Sequence, residues 1–267
     1  PLTHLLAVDL GRGDEQIVLA ANRAGELLAV SGEGELLWKT ALPGAPSHIS
    51  CHDLEGMGMP SICLGLADGE LRVLDIYGKP LRSAPLTERF REHKDSHFGW
   101  LHTINALAVW RRDSNGRAAL AVGGYASVAF LDPDLNLIGH SWADGAWQTD
   151  ILPVHPVEGT PGSIWVRNGW NHGICVYEAL DSFEPSHRHV TFGGVKQPLF
   201  RALRKVIPFV SGRSLAFQPL GADRILVAAE MGMGMLSIER MEWIWKHEGG
   251  APLTACQVGE NAHSGEV

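Results

Sequence analysis

Ser61-Ile-Cys-Leu-Gly-Leu-Ala-Asp-Gly69 runs straight into Glu70-Leu-Arg-Val-Leu-Asp75, and this pair of phrases decides the fold. An apolar run of strand length stops at a Gly-containing turn. A second apolar run follows, and an acidic residue with a further turn closes it. Short apolar runs bounded in this way read as buried strands, and tight hairpin connections place Gly where φ is positive. The pattern recurs four more times. Ile17–Gly25 leads into Glu26–Val30, Ala118–Ala126 into Ser127–Asp132, Ser163–Gly173 into Ile174–Glu178, and Arg224–Gly232 into Met233–Glu239. A self-similar unit of roughly 40–60 residues carrying several short strands is the signature of a β-propeller, one unit per blade.

Each blade then needs four antiparallel strands, A innermost and D outermost. Strand A reads as Thr3–Leu10, Ser47–Leu54, Thr103–Trp110, Gln148–Val154 and Ser214–Leu220, and Glu35–Lys39 and Glu242–Lys246 are D strands. The quoted pairs supply B and C. The blades fall at about 3–44, 45–102, 103–147, 148–213 and 214–251, with a partial sixth at 252–267. Pro252–Val258 restarts strand A there and His263–Val267 begins strand B, so the expectation is an all-β, open and truncated ring. An open ring exposes apolar blade flanks and an unpaired strand edge, which predicts a homodimer. The Asp-x-x-Gly turns and the Trp that closes a blade resemble quinoprotein-like and integrin-like propeller repeats. That resemblance implies a scaffold and leaves the reaction open.

Composition narrows the partners. The chain has 267 residues, 45% of them hydrophobic, enough for a large core. No apolar stretch approaches the ~18 residues of a membrane span, and no charged-then-apolar leader follows Pro1, so a soluble chain without membrane partner or signal peptide is expected. A net charge of −8 and a pI near 5.9 argue against nucleic acid. The four cysteines lack CxxC spacing, and Cys51, Cys63 and Cys175 sit in apolar runs as small buried hydrophobes. The 13 histidines and 9 tryptophans point to candidate sites.

In a propeller the B–C turns and D-to-A crossovers emerge on one axial face, and the A–B and C–D turns on the other. Two crossovers read as long, at about 83–102 and 182–213. Connections of that length are usually functional. The first carries His97 and His102, the second His187 and His189, while His172 lies on the fourth B–C turn and His48 opens the second strand A. His48, His102, His172 and His189 are therefore the candidate ligands of a divalent metal, zinc or manganese. Tyr125 or His97 is the candidate for proton transfer. Arg201 and Arg204 form either an anion clamp, with guanidinium groups matched to carboxylate or phosphate, or a solvated face of a helix, since Pro198–Lys205 has helical spacing. Trp100, Trp142, Trp147 and Trp170 lie on or near the same loops, suited to stacking on a sugar ring. The His-rich crossovers with their Trp and Arg loops resemble propeller polysaccharide lyases that cut uronate-containing chains. Two functions lead, with a quinone enzyme as a third possibility. One is a metal-dependent enzyme that hydrolyses esters or phosphoesters, or acts as a lyase on anionic, uronate-type substrates. The alternative is a non-catalytic propeller that recognises protein or glycan.

Overall fold

A computed structural model describes residues 1–10, 16–86, 103–112, 115–124, 127–142, 148–154, 163–168, 173–178, 189–192, 195–198, 203–208 and 214–249. The chain divides into two compact units. The first holds three four-stranded antiparallel meanders, each paired in chain order. These are β1 (Leu2–Asp9), β2 (Gln16–Asn22), β3 (Glu26–Ser31) and β4 (Leu36–Ala41); β5 (Pro46–His52), β6 (Ser61–Leu66), β7 (Glu70–Leu74) and β8 (Pro80–Pro85); and β9 (Ala106–Arg112), β10 (Ala118–Gly123), β11 (Ser127–Leu131) and β12 (Leu137–Trp142). The first strands β1, β5 and β9 are neighbours, as inner strands of adjacent blades must be. The second unit holds β13 (Gln148–Val154), β14 (Ser163–Asn168), β15 (Gly173–Glu178) and β18 (Leu203–Pro208) in one sheet, and β19 (Ser214–Leu220), β20 (Arg224–Ala229), β21 (Gly232–Ser237) and β22 (Glu242–Glu248) in another. A hairpin, β16 (His189–Phe192) with β17 (Val195–Pro198), interrupts the fourth sheet in sequence and groups with the first unit.

The alternation of strand side chains builds the core. On β6, Ile62, Leu64 and Leu66 join Leu19, Leu27 and Ala29 of the first sheet. Cys63 faces the other way, with Leu71 and Val73 of β7 and Leu120, Val122 and Leu131 of the third sheet. The second sheet is thus covered on both faces, and all six residues of β6 are buried. Each fully buried Leu or Ile contributes roughly 1.5–3 kcal/mol. Cys51 packs with the first cluster and Cys63 with the second, so the two thiols point apart and stay free. Burial pushes the Cys51 thiol up to about 12 and raises that of Cys63 as well, which keeps both as inert hydrophobes.

The turns follow the sequence reading where the first two sheets describe them. Gly25 and Gly69 hold φ of 78° and 83° on the B–C turns. Outer-strand tryptophans tie neighbouring sheets together. The Trp38 indole Nε1 donates to the Ile76 carbonyl at 3.0 Å, Thr40 Oγ1 donates to the Gly78 carbonyl at 3.2 Å, and Trp243 Nε1 donates to the Pro208 carbonyl at 3.1 Å. Gly78, at φ 81°, lies so close to the Trp38 ring that a Cβ would sit 2.9 Å from it. Trp245, on the same outer strand as Trp243, is exposed.

Two expectations are corrected. Residues 203–208 form strand β18 paired with β15, so the helical spacing of Pro198–Lys205 does not become a helix around Arg204. An amphipathic period over so short a run is overridden by a free strand edge. The insertion before β18 consequently lies between strands C and D, not between D and the next A. It leaves β15 at Glu178, the end opposite to the Asn168–Gly173 turn that carries His172 in its connection.

Double coverage of the second sheet leaves little slack. A Cβ on Gly65 would meet Ile104 Cβ at 2.5 Å and its Cγ2 at 2.6 Å, against the backbone-anchored part of a buried side chain. Gly65→Ala should therefore destabilise the protein by about 1–3 kcal/mol, read as a lower denaturant midpoint with an unchanged slope. An unaltered midpoint would contradict the tight approach of these two sheets.

Candidate functional site

Polar residues gather where the inner strands of the first three sheets meet. His4 on β1 has Nε2 3.2 Å from the Ser47 carbonyl, and since a carbonyl can only accept, the proton resides on Nε2. The Ser47 hydroxyl lies 2.6 Å from the Ile104 carbonyl and 3.1 Å from that of Gly65, so β5 is sewn both to its own β6 and to the approach of β9. His48, Ser50 and His52 follow along β5 at strand spacing. The His48 ring is hydrogen-bonded to the Asn105 backbone, while its Nε2 is shielded from solvent and has no hydrogen-bond partner. Ser50 Oγ and Asn105 Nδ2 are in the same condition.

These surroundings set the charge of His48. Burial lowers its pKa to about 4, helped by the proximity of His4 and His52 and partly opposed by the Asn105 backbone bond. A neutral imidazole with an unpartnered nitrogen has the electronic form of a metal ligand. Among the described residues, however, no three His, Cys, Asp or Glu side chains come together in a way that could hold a metal ion.

Of the other residues singled out by sequence, His97, His102, Tyr125, His172 and Arg201 lie outside the described residues, as do Trp100, Trp147 and Trp170. His189 is the first residue of β16 and Arg204 the second of β18, known here by backbone position only. His48 alone among the proposed ligands has a described side chain.

The sequence reading missed a different feature. At the end of the first two sheets where the A–B and C–D turns lie, Leu37, Trp38, Met59, Ile76 and Tyr77 line an apolar cleft of ≈310 Å³. Leu36 and Met57, close in sequence to lining residues, are exposed as well. The signal was present as apolar residues in turns, Met57-Gly-Met59 and Ile76-Tyr77, where a turn needs only Gly and polar groups, and as Leu36-Leu37 at the start of strand β4 beside them.

The buried His48 makes a pH prediction. Its folded pKa is depressed below the ordinary 6.5, so between about 6.5 and 4 the unfolded chain binds a proton that the folded chain does not. The stability associated with neutral His48 is thus fully present above pH 6.5 and lost as the pH falls toward 4, by up to about 1.4 kcal/mol per pH unit. Denaturation at pH 7 and pH 5 should show a smaller acid loss for His48→Gln than for the unaltered protein. Equal losses would show that His48 is not the group that titrates.

No protein-family model matches the chain, and no curated protein sequence matches it. Solved structures do. One is BBS1N crystallised in complex with ARL6DN and soaked with lead, at a TM-score of 0.64 and 12% identity, covering 94% of this chain and 69% of that one. Another is the WD40 domain of Neurospora crassa Pan2, at a TM-score of 0.60 and 8% identity, covering 93% and 66%. At such identities the likeness shows fold alone. Together with the repeated four-stranded meanders, it establishes a β-propeller.

Proposed function

We propose that this chain is a non-catalytic recognition propeller whose ligand is another protein. The observation that carries the reading is an apolar surface at one end of two packed sheets: Leu37 at the start of β4 and Tyr77 on a turn line the cleft and are exposed, and Leu36 and Met57, close to lining residues in sequence, are exposed as well. Monomeric proteins rarely leave such side chains clustered in water unless something covers them. The similar BBS1N propeller was crystallised with a protein, ARL6DN, which supports a protein ligand here. The rival is a zinc- or manganese-dependent hydrolase or lyase. It would be built on His48, His102, His172 and His189, with His97 or Tyr125 moving the proton and Arg201 and Arg204 holding an anionic uronate or phosphoester.

Metal analysis separates the two. Purified without a His-tag, the protein should carry no stoichiometric zinc or manganese. A chelator should leave its Tm unchanged, and aryl esters, phosphotriesters and uronate polymers should not turn over. A stoichiometric metal that is lost in His102→Ala and His172→Ala, together with turnover of any of these substrates, would overturn recognition in favour of catalysis.

A further inference from the structure

Resting on the recognition reading, we infer that the cleft between the first two sheets is the docking site, and that it takes a partner segment carrying bulky apolar side chains flanked by lysine or arginine. The cleft is pre-formed. Its floor is the Trp38 ring, fixed by the indole bond to the Ile76 carbonyl and by Gly78 against the ring edge. Its walls are Leu37, Met59 and Tyr77. Leu37 is 51% exposed, Tyr77 61% and the adjacent Met57 77%, so these groups lose water only when something binds. A volume of ≈310 Å³ accommodates a bulky side chain, the kind of anchor on which protein interfaces concentrate their energy.

Charge selects the occupant. The described turns that build this end carry Glu33, Glu35, Asp53, Glu55 and Asp75 against Lys79, with Asp9 at the end of β1 and Arg82 of β8 beside them. Some of these carboxylates are committed. Asp53 accepts from the Met57 and Gly58 amides at 3.1 and 2.9 Å, Asp75 from those of Tyr77 and Lys79 at 2.9 and 2.8 Å, and Glu55 pairs with Arg82. Their charge still counts at the rim, and Glu33 and Glu35 are exposed beside Leu36 and Leu37. An acidic collar around an apolar cleft repels anionic lipid and nucleic acid. It also repels a second copy of a chain whose own net charge is −8. It attracts a cationic flank and steers its approach.

The test uses the full chain and two fluorescein-labelled peptides of one composition apart from charge. Both carry Leu-Trp-Leu at the centre, one between pairs of lysines and the other between pairs of glutamates. The lysine peptide should bind at least tenfold more tightly, with affinity falling as salt rises. Leu37→Lys should weaken it on the order of tenfold. Tyr77→Ser should do the same, and Glu33→Lys with Glu35→Lys should weaken it and flatten the salt dependence. All these side chains are exposed, so an unchanged Tm checks that the variants are folded. No binding of the lysine peptide, equal binding of both peptides, or binding indifferent to Leu37→Lys and Tyr77→Ser would overturn the cleft. The absence of metal and turnover would then still leave recognition standing on another surface. Vesicle co-sedimentation, or dimerisation by sedimentation velocity, abolished by Leu37→Lys would reassign the cleft to a membrane or a second copy and overturn the proposal as well.

Discussion

Burial of a sheet on both faces is the constraint on which the rest depends. A meander of four strands has two apolar faces when its central strands are as apolar as β6 and β10, all of whose residues are buried. Neither face can be left to water, so the sheet must be sandwiched between two others. The second sheet shows the consequence. Its odd and even residues divide between two separate clusters, one shared with the first sheet and one with the third. Such stacking requires close approach near the inner strands, which is why Gly65 lies under Ile104 and why Ser47 sends its hydroxyl to carbonyls on both sides. It also traps polar groups. His48 and Ser50 keep buried nitrogen or oxygen atoms without a hydrogen-bond partner because β5 is placed by apolar packing of Ile49 and Cys51 on its opposite face, and Asn105 Nδ2, just before β9, is buried without a partner as well.

The fold was legible because the apolar period and the turn chemistry agree. Gln148–Val154 and Ser214–Leu220 appear as strands with the bounds that sequence suggests, and Gly25 and Gly69 adopt the positive φ their turns require. Legibility failed between β15 and β18. Nothing local tells that Leu203–Pro208 is the closing strand of the fourth sheet, since its partner β15 lies beyond an inserted hairpin. Strand pairing is a long-range property, and a six-residue run has no period of its own long enough to resist a helical reading. The sequence reading assigned the segment carrying His189 to a join between one blade and the next, whereas in the chain it falls between β15 and β18 of one sheet. The chain leaves β15 at its Glu178 end.

The candidate site was less legible for a different reason. Sequence reasoning looked for chemistry among polar residues, and in this architecture the polar residues of turns are largely consumed by the backbone. Asp75 accepts from two amides of its own turn. Asp132 does the same with the amides of Asp134 and Asn136 at 2.9 and 2.8 Å, and Asn22 with those of Ala24 and Glu26 at 2.9 and 3.1 Å. Such groups close hairpins, and their types say little about ligands. A Tyr in such a turn, or a Leu at the start of the strand that follows one, has no such duty. Leu37 and Tyr77 pair with no turn amide and are only partly covered by their neighbours, so their presence calls for a reason outside the hairpin. On a scaffold whose turns are already satisfied by Asp, Asn and Gly, the apolar exceptions are the more informative residues. They lie on the face that carries the A–B and C–D turns, the face opposite the one to which the sequence reading assigned the histidines.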